Sequence, residues 1–237
     1  MRLGASPFAS DRAAALAIAH DLVAAGIDTL WLGDGILHRP DFAGWRGGLE
    51  SLTELAWLAG RHQSARVGIT AAVLPLRDVE WLAREAATLD HLTEGRFVLG
   101  VAAGFWKDEL RHRGVDPARR GDELLRRLAT LRALLAGGPL SPAPLTPGGP
   151  PIWLAGGAPT MRLALELGLP YQASRALPDE LAPMAARWFD AGGSLLAHRI
   201  YVEAAGAGQL GQVGEVPGSV RVVGRPGDAR TGSPPPR

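Results

Sequence analysis

The sequence predicts an α/β chain folded as a (β/α)8 TIM-type barrel that is incomplete at its C-terminus. Three observations predict it. Short β-rich runs alternate with longer amphipathic stretches, the pattern of parallel strands joined by right-handed helical crossovers. Eight strand candidates fall within 237 residues, which favours a barrel over an open doubly wound sheet. Beyond the seventh candidate the helical period disappears: 204–218 is Gly-rich, and half of 224–237 is Gly or Pro. The expected organisation is a single barrel domain over 1–223 and a disordered Gly/Pro-rich tail over 224–237. A shortened C-terminus, or a partner subunit covering the gap, accounts for the missing last helix.

Each element has its own local reason. Leu3–Ser6 is the first strand. Ser10 or Asp11 caps the helix after it, where Leu16, Ala19, Val23 and Ala24 share a face and Gly26 ends the run. Asp28–Leu32 is strand two, followed by a polar Gly/Pro-bearing loop to Gly48. Leu49, Leu52, Leu55, Ala56 and Ala59 mark the second helix. Arg66–Leu74, rich in β-branched residues, is strand three. Val79–Asp90 is a helix with Leu82, Ala86 and Leu89 aligned, and Arg96–Val101 is strand four. Leu124, Leu128, Leu131 and Leu135 make one apolar stripe on a helix over Arg120–Ala136, which Gly137, Gly138 and Pro139 stop. Ile152–Ala155, Tyr171–Ser174, Arg199–Glu203 and Val220–Val223 complete the strands. Helices are expected over Thr160–Leu167 and from Pro178, where Leu181, Met184, Ala185 and Trp188 share a face.

Composition narrows the function classes. Hydrophobic residues make up 46% and charged residues 21% of the chain, which suits a globular core. The 25 basic and 24 acidic residues leave a net charge of +1, so no field attracts nucleic acid or an anionic membrane. The absence of cysteine removes disulfides, thiolate metal sites and cysteine nucleophiles. No secretory h-region opens the chain, and no apolar run approaches the roughly 18 residues of a membrane helix. A cytoplasmic location is expected.

In a parallel barrel the chemistry lies where strands end and helices begin. Asp34 ends strand two; it is either an acceptor for a ligand or base, or an Asx-type loop cap. His38, four residues on, is a candidate acid, base or hydrogen-bond donor, or a solvated loop histidine. Leu154–Thr160 carries Gly156 and Gly157 before a helix. It reads as a phosphate cradle with Thr160 as cap or donor, or as a tight βα turn. Gly100–Gly104 lacks the GxGxxG spacing of a dinucleotide fingerprint. No histidine spacing or acidic cluster marks a metal site, and no nucleophile elbow, P-loop or kinase signature occurs. Redox chemistry therefore needs an organic cofactor. Four of the seven Trp, namely Trp31, Trp45, Trp106 and Trp153, lie near strand ends and can pack on a planar ring; Trp57, Trp81 and Trp188 fall on helices as core or interface residues. Arg111, Arg113, Arg119 and Arg120 either pair phosphates or form a solvated helix approach.

Strands three and four carry a recognisable pattern. Arg66–Arg77 (RVGITAAVLPLR), Leu82–Asp90 (LAREAATLD) and Leu92–Val101 (LTEGRFVLGV) together resemble the bacterial luciferase-like family of flavin- or deazaflavin-dependent monooxygenases and oxidoreductases. Gly26–Asp34, Gly104–Glu109 with Gly114 and Arg120, and Pro151–Gly157 resemble further segments of it, so the likeness spans about residues 1–203. It implies a flavin-type cofactor, FMN or coenzyme F420, at the strand C-termini. Asp34 would lie near its ring. Thr70 and Ala71 match the place of a non-prolyl cis peptide in a β-bulge behind the ring. Ala102, Ala103 and Gly104 would line its edge, and Ala155, Gly156, Gly157 and Thr160 would hold its phosphate end. Asp90 and the Gly95–Arg96 turn would be structural. Gly35 stands where family members often have His, Gly100–Ala102 where Gly-x-Gly is usual, and Gly168–Tyr171 where Asp-Gly is common.

The function implied is an oxidoreductase acting on a small organic substrate, either as a monooxygenase with reduced FMN and O2 or by hydride transfer with F420. Asp34 and His38 are its catalytic candidates. The alternative is a non-catalytic flavin-binding protein descended from such an enzyme. No nucleic-acid or membrane partner is expected, and a homodimer is compatible with the apolar helix faces.

Overall fold

The computed structural model describes residues 2–7, 12–37, 49–174, 178–199 and 220–223. Strands β1 (Arg2–Ala5), β2 (Thr29–Leu32), β3 (Arg66–Val73), β4 (Phe97–Ala102), β5 (Ile152–Gly156), β6 (Tyr171–Ser174) and β7 (Leu196–Arg199) pair in sequence order, every pair parallel. A short β8 (Val220–Val223) lies between β7 and β1 and closes the ring. It runs antiparallel to both neighbours. This corrects the expectation that the eighth strand is parallel like the others. Alternation of strands and helices predicts direction only where a helix covers the crossover, and 204–218 carries no helical period.

The helices are α1 (Arg12–Ala24), α2 (Ser51–Arg61), α3 (Val79–Leu92), α4 (Lys107–His112), α5 (Arg120–Leu135), α6 (Ala158–Leu167) and α7 (Pro178–Asp190). Leu82, Ala86 and Leu89 of α3, and Leu124, Leu128, Leu131 and Leu135 of α5, are buried as their spacing predicts. Helix α1 is turned: Ala15, Ala19 and Leu22 face the core, with Leu16 and Val23 at the flank and Ala24 exposed. In an alanine-rich helix the few large side chains do not by themselves decide the face. Leu49 also lies outside the core, 58% exposed before α2 begins. Strand β7 precedes the expected 199–203, because Leu196 and Ala197 pair with Tyr171 and Gln172 and are fully buried; 200–203 lie outside the described residues. The capping candidates Ser10 and Asp11 lie outside them too.

Two tryptophans fill the interior of the ring. Trp31 and Trp153 pack on each other, centroids 5.2 Å apart, in a cluster with Val98 and Ala197. Room for Trp31 comes from two flanking strands. A Cβ on Gly4 or on Gly68 would lie 2.2 or 2.3 Å from the indole. These two tryptophans therefore plug the barrel rather than stack on a ligand. Trp188 is buried against Tyr171. Trp81 is 62% exposed. Trp45 lies outside the described residues.

Candidate functional site

The C-terminal ends of β2 to β6 form one rim. Asp34 follows β2 and is fixed there. Its Oδ2 accepts from the Val73 amide at 2.9 Å and from Arg77 Nε at 2.9 Å, and its Oδ1 accepts from Arg77 Nη2 at 2.7 Å. Arg77 also donates to Glu50 at 2.7 Å and lies 3.8 Å from Glu85. Burial opposes the charge on Arg77, yet Asp34 and then Glu50 outweigh it and raise its pKa. Burial likewise opposes ionisation of Glu50, but hydrogen bonds from Arg77 and Thr53 hold its carboxyl at about 2. Glu85 is pushed up, mainly by burial. The side chains of Asp34 and Arg77 are 6% and 17% exposed, so this is a nearly desolvated bidentate pair. Such a pair holds geometry and is costly to break one partner at a time.

Next around the rim, β3 and β4 slip in register between Ile69 and Ala72, and the Thr70–Ala71 peptide is cis. Val73 pairs with Ala102. Gly104, in the left-handed region at φ +80°, brings its backbone against Val73: a Cβ there would lie 2.7 Å from Val73 Cγ1. Gly100 is equally constrained, since a Cβ would lie 2.4 Å from the Ile69 carbonyl oxygen. Ala71, Ala102, Ala103 and Gly104 are half-exposed.

Beneath this edge, Thr70 donates its hydroxyl to Gln172 Oε1 across the barrel interior. Both side chains are nearly inaccessible, at 2% and 1%. Gln172 Nε2 has no hydrogen-bond partner. Rotating the amide only exchanges an orphan donor for an orphan acceptor, so one polar atom stays unmet in either orientation. Gln172 pairs with Ala155 of β5, which brings the two predicted segments around Thr70 and Ala155 to one floor.

The glycine doublet stands on the far side of the rim. Gly156 is covered by Thr160, whose Oγ1 lies 2.4 Å from where a Cβ would sit, and its carbonyl accepts from the Tyr171 hydroxyl at 2.6 Å. Burial pushes the Tyr171 phenol up to about 12, so it stays a donor. Gly157 caps α6, which starts at Ala158 with no side-chain cap. Thr160 thus sits inside the helix instead of capping it, because Pro159 occupies the first turn. Gly157 is exposed and open: a Cβ would meet nothing nearer than Pro159 at 4.0 Å.

A cavity of about 460 Å³ lies beside the β2 and β3 ends, lined by Asp34, Ile36, Leu49, Glu50, Arg77 and Trp81 among others. Neither Ala102–Gly104 nor the glycine doublet lines it. His38, the second catalytic candidate, lies outside the described residues. The arginines considered for phosphate are engaged locally: Arg111 with Asp108, Arg119 with Asp122, Arg113 with the Leu76 carbonyl and Arg120 with that of Pro117. Among the described residues no group of three His, Asp or Glu could hold a metal ion, and no helix is long and apolar enough to cross a membrane. Asp90, fully buried, accepts from the Thr146 amide and hydroxyl and ties the connector after α5 to α3.

Sequence reasoning singled out none of Arg77, Glu109 and Gln172. Arg77 and Glu109 stand inside quoted motifs, but their partners come from other elements. Gln172 carried one faint signal, a long polar side chain within a short strand.

The model of the luciferase-like monooxygenase family matches residues 2–195. The chain belongs to that family. Among family relatives, a 4-hydroxyprotoasukamycin monooxygenase from Streptomyces nodosus subsp. asukaensis is 37% identical over 114 residues, 47% of this chain and 29% of that protein. The pyrimidine monooxygenase RutA of Escherichia coli is 35% identical over 99 residues, 40% of this chain and 27% of RutA. The chain therefore covers less than a third of these curated relatives. Solved structures share the luciferase-like fold. Monooxygenase RslO1 from Streptomyces bottropensis superposes with a TM-score of 0.69 at 18% identity, over 81% of this chain and 65% of that one. An F420-dependent secondary alcohol dehydrogenase, solved with an F420–acetone adduct, gives 0.67 at 17% identity, over 82% and 66%.

Proposed function

We propose that this chain is an oxidoreductase that holds FMN or coenzyme F420 across the rim of β2 to β6 and acts on a small organic molecule. The observation that carries the reading is the buried amide of Gln172, left with one polar atom unmet while the other is bonded to Thr70, the residue before half-exposed Ala71. An unmet buried amide costs about 1–3 kcal/mol, and the carbonyls and nitrogens of a flavin-type ring are the complement it lacks.

The other residues fit the same group. Ala71, Ala102, Ala103 and Gly104 offer small side chains and backbone to a flat ring. Gly156, Gly157 and Thr160 stand at the start of α6, which has no side-chain cap and where helix dipole and free amides favour an anion such as the cofactor's phosphate. Ala155 shares the floor with Gln172. A bound flavin or deazaflavin supplies the electron or hydride transfer that no side chain of this protein can. Asp34, with Val73 and Arg77 on both its oxygens, shapes the rim. His38 stays the acid–base candidate. The implied setting is cytoplasmic, with a small-molecule substrate and a monomer or homodimer.

That full engagement of Asp34 favours one second reading, a flavin-binding protein without turnover. The two share a first test. Titration of the full chain with FMN and, separately, F420 should quench tryptophan fluorescence saturably for one of them. Gly157→Asp, which sets a carboxylate at the start of α6, should weaken that binding about tenfold by repelling a phosphate. Absence of saturable quenching by either compound defeats both readings. Oxygen uptake or acceptor reduction by the loaded protein then separates enzyme from binder.

A further inference from the structure

The loop leaving β2 is held at its base from three directions. Ser51 of α2 donates to the Gly33 carbonyl. Val73 and Arg77 hold Asp34. The third hold comes from α4. Glu109 Oε1 accepts from the Ile36 amide at 2.6 Å and from the Leu37 amide at 3.1 Å, across 73 and 72 residues of chain. Glu109 is 5% exposed. A carboxylate withdrawn from water is costly unless charge-assisted hydrogen bonds meet it, and two consecutive N–H groups on one oxygen do so. Packing of α4 does not require this charge, since Leu110 beside it is 1% exposed and packs at no such cost.

Helix α4 begins at Lys107, separated by two residues from the Ala102–Gly104 segment. We propose that Glu109 is a positioning residue that locks the β2 loop to the segment after β4 and so sets the gap between two edges of the rim. The role rests on the cofactor reading above: a ring held between those edges meets a pre-set opening, and without the lock, binding must first order the loop.

The test compares wild type with E109Q, E109D and E109A. Gln keeps an oxygen acceptor at the same reach, Asp keeps the charge but is one methylene short, and Ala removes both. Hydrogen exchange is followed over 33–37, and affinity for FMN or F420 by tryptophan fluorescence. E109D and E109A should exchange faster over 33–37 and bind the cofactor about tenfold more weakly, the worth of roughly one good hydrogen bond, with E109Q between wild type and E109A, because it keeps the acceptor but loses the charge. If E109A does not fold, E109D decides. Wild-type affinity or wild-type protection in E109D overturns the role, and so does an E109Q defect as large as that of E109A. Wild-type protein that takes neither FMN nor F420 overturns the cofactor reading and this role with it.

Discussion

Trp31 shows how a residue's meaning depends on chain distant in sequence. Near the end of β2, the tryptophan reads from the sequence as a platform for a planar ring. Gly4 on one neighbouring strand and Gly68 on the other decide for core, because only they leave space for the indole. Gly68→Ala would press a methyl into the ring at 2.3 Å. Overpacking of this kind costs about 1–3 kcal/mol, so the urea midpoint should fall with an unchanged slope. An unchanged midpoint would mean that Trp31 can move aside. Asp34 was legible as a rim carboxylate, but not as half of a bidentate pair, since Arg77 lies 43 residues on. Gln172 was not legible, because an amide is orphaned only by what fails to surround it.

At the scale of elements, the helices with strong apolar stripes were readable: α5 to the buried residue, and α3 for its face, on which Ala83 and Ala87 are buried as well. Weakly patterned α1 was rotated, and α4 was missed because its six residues are too few for a period to show. The caps of α2 and α3 were not read from the sequence, although in both the acceptor and the amides are local. Asp78 caps α3 through the amides of Glu80 and Trp81. Glu50 caps α2 through Thr53 and also meets Arg77. Its folded pKa of about 2, below the ordinary 4.5, makes α2 sensitive to acid. A depressed carboxylate adds stability that is fully present above pH 4.5 and is lost as pH falls towards 2. Because the Glu50 side chain is 50% exposed, solvent screening limits this to about 1 kcal/mol. Denaturant melts should therefore show Glu50→Gln less stable than wild type at pH 6 and equal to it near pH 2. A gap that persists at pH 2 would assign the effect to packing instead.

At the scale of the whole molecule, seven parallel strands leave β7 and β1 as edges, and β8 covers both. Unpaired edges invite association. Val222 pairs with Arg2 on one side and Ala197 on the other. Val222→Pro removes its amide from the ladder and should cost about 1–3 kcal/mol, the penalty of an unsatisfied partner. The thermal midpoint should drop and larger species should appear on gel filtration. A variant that stays as stable and as monodisperse as wild type would show that closure through β8 contributes little.

The sequence by itself determined the order of the strands and of the helices other than α4, the buried faces of α3 and α5, and the family to which residues 2–195 belong. These rest on periodicity and contiguous motifs, which are properties of neighbouring residues. Only the tertiary structure decided the direction of β8, the filling of the barrel by Trp31 and Trp153, the engagement of Asp34 and the orphaned amide of Gln172. Each depends on groups from separate strands meeting in space, and one chain read in order carries no record of which distant partner will arrive or be absent.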